Sequence, residues 1–318
     1  MLPVTFSDYS RTALRLVTVA IVLTLILTTG QLLAQEPAQR SAPTVSGSWE
    51  YGMGLSVMRH RYKEPGLMEQ SGWLAAPVVN AFIRRNDVPF NLLLEGEFAR
   101  GSVDYDGHAQ VDDSTVVPLT LKGLNDTFFE FRLTVGPHAR TSPTTALIPY
   151  MGLGIRWWTD RLNKYPGGYL RESRYIYSPV GAELQVAFAS GSGIAFAFEY
   201  DHFWKGRQKS RLSDLNQAQY YLEDWYEWQD AENDQDDGHG MRANVTWTSA
   251  PTSIGRLNLR FGLRAYLRIW KIDESDILAM DVIYHQSNPP DTEVYEVYVW
   301  EPENETLQFG LTAMIFSL

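Results

Sequence analysis

The sequence predicts an all-β protein, an antiparallel transmembrane barrel of about ten strands. Three observations support this prediction: strict apolar–polar alternation after position 256, the recurrence of such alternation along the chain, and an apparent export signal at the start. Successive side chains of a strand point to opposite faces. Each alternating segment therefore has one apolar face for lipid and one polar face for a lumen.

The clearest alternation lies in residues 257–270. Every odd position from Leu257 to Ile269 is apolar, whereas the even positions include Arg260, Arg264 and Arg268. A strand of a soluble sandwich can alternate in the same way. A run of this length in an exported chain is more typical of a membrane barrel.

Residues 1–34 have the features of a secretory signal peptide. Arg11 and Arg15 precede the largely apolar residues 16–27, and the segment ends in the small residue Ala34, after which we expect cleavage. An uncleaved membrane anchor is the alternative. Residues 35–46 are predicted to be a flexible lead-in, and residues 47–318 are predicted to form the barrel.

Composition narrows the function classes. The net charge of −11 argues against nucleic acid as a partner. The chain has no cysteine, which excludes disulfides, thiol chemistry and cysteine metal sites. After the signal, no apolar stretch approaches the ~20 residues that a membrane helix needs. The aromatic content of 13 % is high enough to supply the interfacial girdles of a barrel.

Period-two alternation predicts ten strands, separated by short turns and long polar connections in alternation. The long connections lie near 106–126, 160–174, 210–239 and 273–304. Short periplasmic turns and long outer loops are typical of outer-membrane barrels. The predicted strands lie near 47–62, 72–85, 90–105, 127–138, 146–159, 175–188, 193–209, 240–249, 256–272 and 305–317.

The C-terminal segment carries a more specific resemblance. Gly310 is followed by the spaced apolar residues Leu311, Ala313 and Ile315 and by a late aromatic residue, Phe316. This resembles the terminal strand of bacterial outer-membrane proteins, although the last residue is leucine, not phenylalanine. The resemblance implies recognition by the barrel-assembly machinery and a place in the outer membrane of a Gram-negative-type bacterium. It identifies no particular family.

The alternation also assigns charged residues of both signs to the polar face. The interior of a barrel of about ten strands is narrow enough for side chains to fill, and buried charges must be paired. We therefore predict a lumen filled by an ion-pair network, with a narrow pore as the alternative. The predicted lumen residues are Glu50, Glu95, Glu97, Glu130, Arg132, Arg156, Glu183, Glu199, Asp201, Arg242, Arg260, Arg264 and Arg268.

A row of cations follows the seventh predicted strand. Lys205, Arg207, Lys209 and Arg211 share one face if this strand continues beyond the membrane. Such a row suits the phosphates of lipopolysaccharide or another anionic ligand. The alternative is a solvated edge that pairs with the acidic segment that follows.

The segment 220–239 is strongly biased and is predicted to be a loop. Its carboxylates are a candidate Ca²⁺ site, although a solvated acidic tip is the simpler interpretation. The candidate ligands are Asp230, Glu232, Asp234, Asp236 and Asp237. The preceding aromatic residues suit stacking on sugars or a partner protein, capping of the barrel mouth, or the membrane interface. They are Tyr220, Tyr221, Trp225, Tyr226 and Trp228.

Ten-stranded outer-membrane barrels include the omptin proteases, and a resemblance to them would require two aspartates facing an Asp-x-His pair. Asp104 and Asp106 share one face, but Asp201 and His202 are adjacent and so point to opposite faces. We therefore expect no omptin-like proteolysis, and the sequence indicates no cofactor. The predicted function is a non-enzymatic barrel whose surface loops contact lipopolysaccharide, a surface polymer or a partner protein. The alternatives are a narrow channel for small polar solutes and, third, an outer-leaflet enzyme.

Overall fold

The computed structural model describes residues 48–84, 90–110, 116–137, 139–219, 224–255, 257–287 and 289–317. Ten long strands form a closed antiparallel barrel in which each strand pairs with its chain neighbours and the first pairs with the last. The strands are β1 Ser48–Glu64, β2 Met68–Arg84, β3 Phe90–Gln110, β4 Val116–Pro137, β5 Thr145–Arg161, β6 Leu170–Ala187, β7 Gly193–Arg211, β8 Gly238–Thr248, β9 Leu257–Ile272 and β10 Asn304–Ser317. The predicted signal peptide and lead-in lie outside the described residues.

Several predicted connections are partly strand. β3 and β4 run to Gln110 and from Val116, well into the expected connection 106–126. Ala231–Gln235, placed on a loop by the sequence, continues the line of β8 and pairs with β7. The prediction was wrong here because the outward face becomes polar beyond the membrane, so the apolar–polar contrast disappears while the strand continues.

A small second sheet stands outside the barrel wall. It consists of Pro290–Val299, Leu278–Ser287 and Trp225–Glu227, in that order. Two of these strands form a hairpin inside the predicted connection 273–304. We call this element the extracellular sheet, because it lies at the end of the barrel that carries the long connections.

A bulge in β7 explains how one strand serves two environments. Ile176 of β6 pairs with Lys205, whereas Tyr177 pairs with Phe203, so Trp204 is an extra residue without a partner in the ladder. The bulge turns both Trp204 and Lys205 outward. Even-numbered residues therefore face outward below the bulge and odd-numbered residues above it.

The interior is packed with aromatic and charged side chains. The rings of Tyr62 and Trp158 lie 4.4 Å apart in one cluster, and those of Tyr177 and Trp270 lie 4.9 Å apart in another. Gly154 of β5 makes room for the second cluster, because the ring of Tyr177 lies directly over its backbone. No helix in the described part of the chain is long and apolar enough to cross a membrane.

Candidate functional site

The outward faces of the strands carry a continuous apolar belt. Trp73 and Trp204 stand at its extracellular border, each more than half exposed, and His202 packs against Trp204 at 4.5 Å, within the predicted aromatic girdle. Beyond this border the outward residues become charged, as at Arg61. We define the belt as the membrane-spanning segments. They are residues 51–57, 73–81, 90–98, 129–135, 147–157, 176–186, 194–204, 241–247, 257–269 and 307–315.

Inside the belt, Arg242 of β8 is the centre of a buried ion-pair network. Its guanidinium donates to both carboxylate oxygens of Glu130 at 2.5 and 2.7 Å, and its Nε donates to Asp201 at 2.5 Å. The hydroxyl of Tyr177 also donates to Glu130, at 2.7 Å. Glu130 and Arg242 come from β4 and β8, so this contact spans the lumen.

A second layer of the network lies closer to the periplasmic end. Arg132 donates to Glu95 at 3.0 Å and forms a short ion pair with Glu199. Arg264 of β9 binds the other oxygen of Glu95, also at 3.0 Å. Arg268 pairs with Glu97 at 2.6 Å. Together these pairs link β3 to β4, β7 and β9 across the interior.

The remaining predicted lumen residues behave differently. Arg156 is buried with its guanidinium over the rings of Phe128 and Trp270, at 4.5 and 5.6 Å, and forms no ion pair with the residues described. Glu50, Glu183 and Arg260 line a cavity of about 440 Å³ at the periplasmic end. We call this cavity the periplasmic vestibule. The structure therefore brings most of the predicted residues into one network and leaves three of them around a cavity.

A buried carboxylate pair lies above the belt, at a place that the sequence analysis missed. Asp126 and Asp160 are opposite each other on β4 and β5 and have no exposed surface. Trp158 donates to Asp126 at 3.2 Å, and Gln70 donates to Asp160 at 2.6 Å. Burial raises the pKa of Asp160 to about 6, while burial and the neighbouring Asp160 raise the pKa of Asp126 well above its usual range.

His60 lies beside this pair, with its Nε2 3.8 Å from Asp126. Burial, reinforced by the charge of Arg156, lowers the pKa of His60 to about 3, so the imidazole is neutral at physiological pH. Its Nδ1 lies 3.1 Å from the amide of Gln308. The three titratable groups come from β1, β4 and β5, and no local motif joins them.

The connection between β9 and β10 is attached to the extracellular end of the barrel. Glu301, from this connection, is buried and binds Arg171 at 2.7 Å, and Arg171 also binds Glu64 at 2.6 Å. Ser210 donates to the other oxygen of Glu301 at 2.6 Å. These contacts attach the base of the extracellular sheet to the barrel.

The four cations on β7 lie on the outer surface above Trp204, and each pairs with carboxylates. Lys205 binds Asp234 at 2.7 Å, and Arg207 binds Glu232 at 2.8 Å. Lys209 and Arg211 pair with Asp230 and Glu172, at 3.3 and 3.0 Å. Lys205, Arg207 and Lys209 thus pair with the acidic segment that follows, as in the alternative interpretation, whereas Arg211 pairs with a residue of the neighbouring β6.

The candidate Ca²⁺ ligands are not gathered around one point. Asp230, Glu232 and Asp234 extend along the edge of a strand toward different cations. The described residues include no group of three or more acidic or histidine side chains that could hold a metal ion. The sequence suggested a cluster because the spacing places these carboxylates on one face, but that face is directed at the cation row.

The four residues compared with the omptin active site do not converge. Asp104 and Asp106 are exposed on the outer face of β3. Asp201 is buried in the lumen network, whereas His202 of the same strand faces the membrane border. The expected opposite orientation of Asp201 and His202 is what the structure has.

The extracellular sheet carries a row of tyrosine rings on one face. The rings of Tyr226 and Tyr284 lie 5.0 Å apart, and those of Tyr284 and Tyr295 lie 6.3 Å apart. The hydroxyl of Tyr295 donates to Glu293. On the other face, Trp225 stacks on His285 at 4.2 Å. Of the predicted loop aromatics, Tyr220 and Tyr221 lie outside the described residues, while Trp225 and Tyr226 belong to this sheet.

Comparison with known proteins supports the same architecture. No protein-family model matches the sequence, and no curated protein matches it. Among solved structures, the outer membrane protease OmpT from Escherichia coli is 10 % identical and has a TM-score of 0.50, covering 87 % of this chain and 100 % of its own. The chain has the fold of an outer-membrane β-barrel. At this identity, the likeness to OmpT concerns the fold alone.

Two other similar structures are further removed. The toluene transporter TodX from Pseudomonas putida is 7 % identical, with a TM-score of 0.30 over 85 % of this chain and 89 % of its own. Neisserial surface protein A is 9 % identical, with a TM-score of 0.26 over 86 % of this chain and 99 % of its own.

Proposed function

We propose that the protein is a non-enzymatic outer-membrane barrel with a closed lumen, whose extracellular sheet binds a carbohydrate polymer at the cell surface. The observation that carries the proposal is the ion-pair network, which joins opposite walls of the barrel. A barrel closed in this way has its exposed recognition surface outside, on the long connections.

The first step of the argument concerns the lumen. Glu95 is held between Arg132 and Arg264, and Arg132 also binds Glu199, so the network joins β3 to both β7 and β9. A solute passing this layer would have to separate buried opposite charges, and leaving one partner of a buried pair alone costs about 3–5 kcal/mol. Two clusters of buried aromatic residues lie above this layer. These contacts favour a structural barrel over the alternative of a narrow channel for polar solutes.

The second step concerns the extracellular sheet. Tyr226 and Tyr295 are each 44 % exposed, although both belong to the tyrosine row. Glu293 is held at the edge of this row by the hydroxyl of Tyr295. Exposed rings offer flat apolar faces for stacking, and adjacent carboxylates accept hydrogen bonds from hydroxyl groups. Sugar rings present both kinds of surface, which favours a glycan over a purely apolar ligand.

The outer leaflet is the second partner in this proposal. Lys205 and Arg207 lie one and three residues beyond Trp204, at the height of lipid head groups, and are about half exposed. Because each cation is paired with a carboxylate, this part of the outer surface carries charges of both signs. Phosphates of lipopolysaccharide would compete with Asp234 and Glu232 for the two cations.

The lumen part is tested by single-channel recording of the purified protein in a planar bilayer. No conductance steps are expected above the background of protein-free bilayers. A stable and reproducible conductance would overturn the closed lumen and favour the channel. The positive control is the double variant Arg132→Ala, Arg264→Ala. It lacks the arginines of the periplasmic layer, so conductance steps are expected from it.

The surface part is tested on a glycan array of bacterial surface polysaccharides. Tyr284→Ala and Tyr295→Ala are expected to abolish any binding, whereas Tyr298→Ala, on the opposite face of the same sheet, is expected to retain it. Because the sheet is outside the barrel, the heat-dependent gel mobility of all three variants should be unchanged. Absence of glycan binding by the unaltered protein would contradict the proposal.

A further inference from the structure

The periplasmic vestibule contains three charged lumen residues that have no ionic partner. Glu50, Glu183 and Arg260 form no ion pair within the described part of the chain, and all three line the same cavity. The Nε atom of Arg260 is buried and lacks a hydrogen-bond partner. Every other predicted lumen charge is ion-paired except Arg156, which is covered by aromatic rings. The unpaired charges are therefore collected at one place.

The vestibule has the volume of a small-molecule site. Its volume of about 440 Å³ lies within the range of about 300–1,000 Å³ that is typical of small-molecule sites. Arg264, which binds Glu95 of the ion-pair network, is part of its wall. Residues 142–146 and 191–195, from two short periplasmic turns, stand at its mouth. A ligand would enter from the periplasm.

The charges indicate what the ligand carries. Arg260 offers a cation to a carboxylate, and Glu50 and Glu183 offer carboxylates to an ammonium group. The three groups do not neutralise one another, although they share one cavity. Thr246 and Thr248 add hydroxyl groups to the wall. Because the three charges sum to −1, a ligand with one carboxylate and two ammonium groups would balance them.

We propose that the periplasmic vestibule binds a small molecule with both a carboxylate and an ammonium group, of the class of basic amino acids and short peptides. Arg260 holds the carboxylate, and Glu50 and Glu183 hold the cationic groups. This site is independent of the extracellular sheet, and its occupant does not cross the closed lumen.

The test is calorimetric titration of the purified protein with the dipeptide alanyl-lysine. N-acetylalanine, which has only the carboxylate, and 1,5-diaminopentane, which has only ammonium groups, are the probes for single charges. We expect alanyl-lysine to bind. The affinity of each single-charge probe should be about tenfold lower, which corresponds to about 1.4 kcal/mol of binding free energy. Arg260→Gln and Glu183→Gln should each lower the affinity for the dipeptide by a similar factor. Arg61→Gln, on the outer surface of β1, is the matched control and should have no effect.

A second measurement does not depend on heat signals. The chain contains no cysteine, so Thr248→Cys places a single thiol in the wall of the vestibule. Alanyl-lysine should slow the labelling of this thiol by a charged reagent, whereas N-acetylalanine should not. The proposal is overturned if the dipeptide neither binds nor protects the thiol at about millimolar concentration, or if Arg260→Gln binds it as tightly as the unaltered protein.

Discussion

Arg242 and Glu130 form a bidentate ion pair across the barrel, with nitrogen–oxygen distances of 2.5 and 2.7 Å. They belong to β8 and β4, which are not neighbours in the ring of strands. Hydrogen bonds between adjacent strands close the wall of a barrel, but they do not fix the distance between opposite walls. This pair connects opposite walls through the interior, and both of its residues are buried.

Arg242→Met should strongly destabilise the protein. Asp201 would remain buried without its cation, and of the ion-pair partners described, Glu130 would keep only Arg268, at 3.8 Å. Leaving one partner of a buried ion pair alone costs about 3–5 kcal/mol. Urea-induced unfolding in detergent micelles, followed by tryptophan fluorescence, measures the loss. Arg207→Met removes an arginine from an exposed pair and should change the free energy of unfolding by less than about 1 kcal/mol. Equal losses for the two variants would contradict a supporting role for the lumen network.

Asp160→Asn should stabilise the protein in neutral and alkaline solution. The folded-state pKa of Asp160 is raised to about 6, so the folded state favours the protonated acid and stability is lost as the pH rises toward 6. Asparagine removes this loss while still accepting the hydrogen bond from Gln70. The gain should be on the order of 2–3 kcal/mol above pH ~6 and should vanish below pH ~4. Thermal unfolding at a series of pH values measures it.

His60 provides the opposite pH dependence and a control. Its pKa is lowered to about 3, so the folded state holds the neutral imidazole, and stability is lost as the pH falls from its ordinary value toward 3. His60→Gln should therefore remove a loss of stability that occurs as the pH falls toward 3, whereas Asp160→Asn removes a loss that occurs as the pH rises toward 6. If the two variants give the same profile, the groups do not titrate as described.

Gly154→Ala should damage the barrel interior. A Cβ atom at this position would lie 2.2 Å from the ring of Tyr177, which cannot move without disturbing its hydrogen bond to Glu130. We expect a loss of about 1–3 kcal/mol, as for other overpacked cores. Gly96→Ala, whose new atom meets only a side-chain methyl of Val79 at 3.1 Å, is the control and should cost less. Urea-induced unfolding measures the free energy of unfolding of both variants.

Lys205→Gln combined with Arg207→Gln should reduce binding to lipopolysaccharide micelles without destabilising the barrel. Both side chains are about half exposed, so their ion pairs contribute little to folding. Asp234→Asn combined with Glu232→Gln should have the opposite effect on binding, because it frees the same two cations. Co-sedimentation at low and high salt measures both variants. If the first variant binds lipopolysaccharide with unchanged affinity, the cation row does not contribute to the membrane contact.

The sequence predicted the barrel because lipid and lumen impose opposite polarities on alternate residues within the membrane belt. It predicted less well where that contrast ends. The strand Ala231–Gln235 has polar or acidic residues on both faces apart from Ala231, so its period was invisible. The face assignment did predict most of the residues that form the lumen network. It could not predict the pairing of Asp126 with Asp160 or the approach of His60, because these contacts depend on barrel register.

The outer edge strand of the extracellular sheet affects how neighbouring copies of the protein meet in a crowded membrane. Among the described residues, Pro290–Val299 pairs with Leu278–Ser287 on one side and with no strand on the other, so it is an edge strand of this sheet. Such an edge invites strands from neighbouring molecules to add to it. Asp291, Glu293 and Glu296 are exposed along this strand, and Pro290 lacks an amide hydrogen. Two copies meeting edge to edge would therefore bring like charges together, which favours a surface populated by separate molecules even when they are densely packed.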